Sequence, residues 1–142
     1  MKNYLKMKTY IAMCMAVLGM AAHETARAQG VSQTVDNVTY AIYEYNNTAG
    51  AVNVASGVTD VVIAGEVQKD GKTYKVEMVE DNFAAGNADV TSVTIGEGVK
   101  YLGIGVFHDC VKLAKVTIPS SLEAIFEEAF DGCTALAEKP KI

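Results

Sequence analysis

Apolar residues recur at one fixed spacing along the second half of the chain. VTSVTIGEGVKYLGIGVFHDCVKL, from Val90, and LAKVTIPSSLEAIFEEAFDGCTAL, from Leu113, align on their apolar positions. The pairs are Val93 and Val116, Ile95 and Ile118, Val99 and Leu122, Leu102 and Ile125, Val106 and Ala129, Phe107 and Phe130, and Cys110 and Cys133, each 23 residues apart. A period of this length marks a solenoid, whose units bury their apolar edges only by stacking on one another. Within a unit, Val93-Thr94-Ile95 and Val116-Thr117-Ile118 alternate as half-buried strands do. Pro119 closes the second of them, because proline cannot donate to a ladder. In the segment EAIFEEAF and the residues before it, Leu122, Ile125, Ala129 and Phe130 share one face of a short helix. The four glycines of GEGVKYLGIGVF predict an irregular or 3-10-like return in the preceding unit.

An earlier, expanded unit precedes these two. Val61, Ile63 and Val67 keep the spacing of Val93, Ile95 and Val99; eight extra residues then separate them from Met78 and Phe83, which stand where Leu102 and Phe107 stand. One more residue enters before Val90, so the total offset is 32. Asp70-Gly71, between the alternating segments EVQK and KTYKVEM, predicts a β-hairpin inserted at 68–75, because both turn residues tolerate positive φ. The units are expected at about 61–92, 93–115 and 116–138, within a solenoid spanning 61–142. Phe83, Phe107 and Phe130 are expected to pile into one spine.

Residues 29–60 pattern differently. VTYAIYEY and AVNVASG read as two strands joined by a loop with Asn46, Asn47 and Gly50 supplying the turn. The expected role is an N-terminal β cap over the first unit's open edge. At the other end the strand positions of a next unit are Lys139 and Lys141, flanking Pro140, residues that blunt exposed edges. Either this tail caps the stack or the chain is a truncated piece of a longer array.

The N-terminus changes how the composition is read. Lys2, Lys6 and Lys8 precede an uncharged, mostly apolar run of 13 residues from Tyr10 to Ala22, and Ala26-Arg27-Ala28 follows. That order predicts a signal peptide over 1–28. A membrane span needs about 20 apolar residues, and Cys14 lacks the small residues expected before a lipidated cysteine. Four of the 12 basic and one of the 17 acidic residues leave with the leader, so the remaining 114 residues hold 8 basic and 16 acidic side chains and no arginine. Phosphate and base recognition lean on arginine forks and basic patches, so nucleic acid and anionic membrane surfaces are poor partners; the 13-residue run is too short to span, and no membrane span is expected after cleavage.

Little chemistry survives beside the packing. Cys110 and Cys133 take equivalent positions in successive units and read either as buried thiols or as a disulfide. His108 is the single histidine after the leader and stands beside Asp109, with no zinc-like set around it. Glu77, Glu80 and Asp81 form one acidic group and Glu123, Glu127, Glu128 and Asp131 another, expected as solvated surface. No Walker loop, serine elbow or HExxH occurs. The expectation is a non-enzyme with no catalytic residue, cofactor or metal.

VTIGEGVKYLGIGVFHDCVKLAKVTIPSSLEAIFEEAFDGCTAL, with the upstream DGKTYKV insertion and the pair Asn82-Phe83, resembles the BspA-type leucine-rich repeats of secreted and surface proteins in Bacteroides-like bacteria. The resemblance covers 61–138 and implies a fold: a β-rich α/β solenoid, a short leucine-rich-repeat stack with a parallel sheet and short helical or 3-10 returns, capped by N-terminal strands. Ser121 and Glu123 stand where the common leucine-rich consensus has asparagine and leucine, so no asparagine ladder is expected. The bacterial resemblance discounts the sequons at Asn37 and Asn46. It implies a secreted, cell-surface or periplasmic interaction or adhesion module whose partner is an extracellular protein or glycan. The outward strand positions Asp60, Val62, Ser92, Thr94, Lys115 and Thr117 are the expected concave binding face. The alternative is a structural cap, spacer or truncated fragment with no ligand of its own.

Overall fold

The strand signals at Val61, Val93 and Val116 become one parallel sheet. In the computed structural model, which describes residues 31–142, β4 (Asp60–Ile63), β7 (Ser92–Ile95) and β9 (Lys115–Thr117) lie side by side in that order. Val61 faces Val93 and Ile63 faces Ile95, a register of 32. Val93 faces Val116 and Thr94 faces Thr117, a register of 23. The leader expected at 1–28 lies outside the described residues.

A second, larger sheet closes the other side of the stack. Its path runs β1 (Ser32–Val35), β2 (Val38–Tyr43), β3 (Thr48–Val54), β6 (Lys72–Val79), β8 (Tyr101–Leu102) and β10 (Ala124–Ile125), with β5 (Glu66–Lys69) paired to β6. β5 and β6 make the antiparallel hairpin at Asp70-Gly71, where φ is 52° and 77°, as a type I′ turn requires. The larger sheet corrects the alignment of the first unit. Met78 faces Tyr101 and Val79 faces Leu102, so Val79 rather than Met78 holds the position of Leu102. The Ala84 amide bonds the Val106 carbonyl at 2.8 Å just as the Phe107 amide bonds the Ala129 carbonyl at 2.8 Å, so Ala84, not Phe83, is in register with Phe107. All the extra residues therefore fall in the hairpin segment. Matching aromatic to aromatic misplaced the ladder by one residue, because the Phe83 ring reaches the spine from the neighbouring position.

The spine itself forms. Phe83 meets Phe107 edge-on at 6.0 Å between centroids, and Phe107 stacks on Phe130 at 5.5 Å. All three rings are buried, as are Val61, Ile63, Val93, Ile95, Leu102 and Leu113. The core lies between the two sheets.

The helical return expected over EAIFEEAF does not form, and no helix of any type occurs among the described residues. Glu123 and Ala124 instead donate to the Lys100 carbonyl at 2.8 and 3.1 Å, and Phe126 donates to Leu102 at 3.0 Å. Each amide finds its acceptor in the previous unit, which removes the donors a helix would need. Ala124 and Phe126 alternate with Ile125 and make a small apolar cluster with Met78 and Tyr101, separate from the main core. The 23-residue period appears in the backbone too: Asn82, Gly105 and Glu128 have φ of 56°, 60° and 59°, and Gly86, Asp109 and Gly132 have 72°, 57° and 75°. Two left-handed residues per return bend the chain from one sheet towards the other.

β1, β2 and β3 form an antiparallel meander, and β3 runs parallel to β6. β1 carried no strong apolar alternation and was missed by pattern. Gly50 lies inside β3 rather than in the turn; a Cβ there would collide with the Glu80 carboxylate, which lies over it. Two bonds from the meander occupy places that a preceding unit fills elsewhere. The Ala64 amide bonds the Tyr40 hydroxyl at 2.9 Å, whereas its counterpart Gly96 bonds the Ile63 carbonyl at 2.8 Å. The Glu80 amide bonds the Ala51 carbonyl at 2.8 Å, as Gly103 bonds Val79 at 2.8 Å. At the far end, residues 137–142 form no strand; Lys139 pairs with Asp131 at 2.5 Å and Lys141 with Glu138 at 3.2 Å.

Candidate interaction face

Because side chains alternate across a strand, the parallel register sorts the residues of β4, β7 and β9 into two inward and two outward rows. Val61, Ile63, Val93 and Ile95 turn into the core. The outward rows are Asp60–Ser92–Lys115 and Val62–Thr94–Thr117. The structure thus brings all six sequence-selected residues onto one side of one sheet. Five are exposed and Ser92 is half-buried; Val62 is 56% exposed, an apolar β-branched side chain in solvent. Three strands spaced about 4.8 Å apart make this face about 10 Å wide from first to last.

The face has its own polar wiring. Ser92 Oγ donates to Asp60 Oδ1 at 2.5 Å and Thr59 Oγ1 to Asp60 Oδ2 at 3.0 Å. These two hydroxyls, Ser92 foremost, hold the Asp60 carboxyl below its ordinary pKa, so it is charged at neutral pH. Thr91 Oγ1 adds a bond to the Thr59 carbonyl at 3.1 Å. Asp60 stands at one margin and Lys115 at the other, so the face is negative on the β4 side and positive on the β9 side. Thr59 and Thr91 escaped the sequence reading because they precede the apolar alternation that defined the strands.

Elsewhere the acidic groups do more than solvate the surface. Glu77 pairs with Lys100 at 2.9 Å, Asp81 Oδ1 accepts the Ile104 amide at 2.7 Å, and Glu97 accepts both the Ser120 amide and its hydroxyl at 3.0 Å. Each pair is 23 residues apart, so these carboxylates tie successive units together. The amide and hydroxyl of Ser120 lower the Glu97 pKa. A search for complementary side chains at the repeat offset points to Glu77 with Lys100 and Glu97 with Ser120, whereas Asp81 bonds a backbone amide that no side-chain pattern marks.

Cys110 and Cys133 are free, buried thiols, and the disulfide alternative does not occur. Each donates to a carbonyl of the preceding unit at 3.0 Å, Cys110 to Ala84 and Cys133 to Phe107. Desolvation first, and the neighbouring Cys133 second, push the Cys110 pKa up to about 11. Asn87 holds the cysteine position in the first unit, where its Oδ1 accepts the amides of Asp89 and Val90. His108 lies in a turn with Nδ1 3.2 Å from the Asp109 carboxylate.

Residues 74–139 match the family profile described as BspA type Leucine rich repeat region (6 copies). The repeats are of the BspA type. Three solved structures share the fold of this stack. A leucine rich cell surface protein from Faecalibacterium prausnitzii A2-165 is 25% identical, with a TM-score of 0.66 over 74% of this chain and 29% of that one. A leucine-rich repeat protein from Bacteroides ovatus ATCC 8483 is 26% identical, with a TM-score of 0.68 over 75% of this chain and 28% of that one. A Treponema pallidum leucine-rich repeat protein, 24% identical, matches with a TM-score of 0.64 over 74% of this chain and 47% of that one. The chain therefore spans less than a third of the length of the first two. No curated protein matches it.

Proposed function

We propose that this BspA-type stack is an exported, non-catalytic interaction module and that the outer face of the β4–β7–β9 sheet makes the contact. One observation supports the reading: Asp60, Val62, Ser92, Thr94, Lys115 and Thr117 stand in two outward rows, five of the six exposed, with an apolar side chain among hydroxyls and opposite charges at the margins. A mixed surface of this kind suits an extracellular protein or glycan, offering shape and hydrogen bonds rather than a cleft for chemistry. The Faecalibacterium relative's description as a cell surface protein, and the charged-apolar-small order of residues 1–28, favour a surface or secreted location.

The test is a ligand array of glycans and extracellular-matrix proteins probed with the purified chain and with T94E/K115E/T117E. Binding by the parent, reduced about tenfold or more in the variant, supports the face. A detected interaction that the variant leaves untouched removes it.

A second reading, a structural cap or spacer, has its own support. The Tyr40 hydroxyl and the Ala51 carbonyl stand where a stacked unit supplies acceptors elsewhere, as an end piece requires.

A further inference from the structure

The structure separates two asparagines that share one motif. Asn37-Val38-Thr39 and Asn46-Asn47-Thr48 both have the order of a glycan acceptor, asparagine and then threonine two residues on with no proline between. The first is locked in the ladder. Val38 is fully buried and paired with both Val35 and Val54, and the Thr39 hydroxyl is engaged with that of Thr34 at 3.0 Å. The second lies at the tip joining β2 to β3, where Glu44, Tyr45, Asn46 and Asn47 are all exposed. Thr48 donates twice to the Asn46 carboxamide oxygen there, from its hydroxyl at 2.7 Å and from its amide at 3.2 Å. This Asx turn presents the two side chains together. Both bonds use Oδ1, and Asn46 Nδ2 makes no hydrogen bond among the described residues.

Glu44 separates the two sites further. Oligosaccharyltransferases of the bacterial kind read an acidic side chain two residues before the asparagine, through a charge-assisted contact. Glu44 stands at that place before Asn46, exposed, whereas Val35 stands there before Asn37. EYNNT therefore carries the acid, the asparagine and the hydroxyl in order, on a surface turn where a bulky polar group displaces nothing.

We propose that Asn46 is an acceptor site for an asparagine-linked glycan, transferred from a polyprenyl pyrophosphate-linked oligosaccharide by an oligosaccharyltransferase. Asn46 Nδ2 bonds to the anomeric carbon and gives up one proton. The bond from that carbon to the pyrophosphate oxygen breaks, and the polyprenyl pyrophosphate leaves with the electron pair. The proposal rests on the export reading, because the lipid-linked donor is used beyond the cytoplasmic membrane. It goes beyond the contact reading, since the tip belongs to the larger sheet and not to β4, β7 or β9.

The test incubates the folded full chain with a purified single-subunit bacterial oligosaccharyltransferase and a polyprenyl pyrophosphate-linked oligosaccharide, and reads intact mass and the modified peptide. The expected result is a gain of one glycan, mapped to Asn46. N46Q and T48A should abolish it, N37Q should leave it unchanged, and E44Q should slow it about tenfold or more, as loss of a hydrogen bond to a charged group does. Unchanged thermal midpoints confirm that the variants are folded. No mass gain on the folded chain, a gain that N46Q retains, or equal modification of Asn37 overturns the site; transfer indifferent to E44Q removes Glu44 from it. Recovery of the chain from the cytosolic fraction alone would remove the export reading, while transfer by the purified enzyme still decides the acceptor.

Discussion

At the level of single residues, the repeat imposes backbone conformations that the side chains do not always favour. The left-handed position shared by Asn82, Gly105 and Glu128 shows this directly. Asparagine and glycine adopt positive φ readily, whereas for other L-residues that conformation costs about 1–2 kcal/mol. Glu128, at φ 59°, therefore carries strain that its two counterparts avoid. E128N should raise unfolding stability by about 1 kcal/mol, read as an upward shift of the urea midpoint with unchanged slope. The thiols give a second residue-scale expectation. Burial and the carbonyl bonds keep Cys110 and Cys133 protonated and enclosed, so a thiol reagent should label neither in the native state at pH 8 and both after denaturation. Because the folded Cys110 pKa, about 11, lies above its unfolded value, the thiol's contribution to stability is complete below the unfolded pKa. It is lost as pH rises towards the folded one. Rapid native labelling at pH 8 would contradict the buried-thiol geometry.

At the level of elements, the meander and the returns show what decides a strand in this fold. EAIFEEAF has the spacing of an amphipathic helix, yet its backbone donates to Lys100 and Leu102 of the previous unit. Local periodicity lost to inter-unit hydrogen bonding, which a single unit cannot reveal. The meander is held to the first unit through few but specific bonds, and Tyr40 is the sharpest test. Its ring is fully buried and its hydroxyl accepts the Ala64 amide at 2.9 Å. Y40F keeps the ring and leaves that amide unpaired, at a cost of about 1–3 kcal/mol. Faster exchange of the Ala64 amide should accompany the loss in denaturant unfolding. If stability and exchange are both unchanged, the hydroxyl does not cap the edge.

At the level of the whole molecule, Asp60 and Glu97 join successive units, while Asp70 and Asp131 pair locally with Lys69 and Lys139. Asp60, Asp70, Glu97 and Asp131 all have folded pKa values below their ordinary ones, through bonds to Ser92, Lys69, Ser120 and Lys139 respectively. A depressed folded pKa means that the unfolded chain binds protons first as acid is added. The stabilisation is therefore present above the unfolded carboxyl range, about 4, and lost as pH falls through the lower folded values. The thermal midpoint should be flat near neutrality and drop below pH about 4. E97Q should flatten part of that drop, which differential scanning calorimetry at stepped pH would read.

The sequence by itself determined the period, the Val-x-Ile strands, the hairpin at Asp70-Gly71 and the six outward residues. These depend on local alternation, turn stereochemistry and repetition, all written in the order of residues. Tertiary structure alone decided the true register of the first return, the strand character of Ala124–Ile125 and the free state of the two thiols. It also decided the bond by which the Ile104 amide reaches Asp81 of the preceding unit. Each of these turns on which backbone group faces which across neighbouring units. That pairing is a property of the stack, set by where every amide of one unit finds a carbonyl in another.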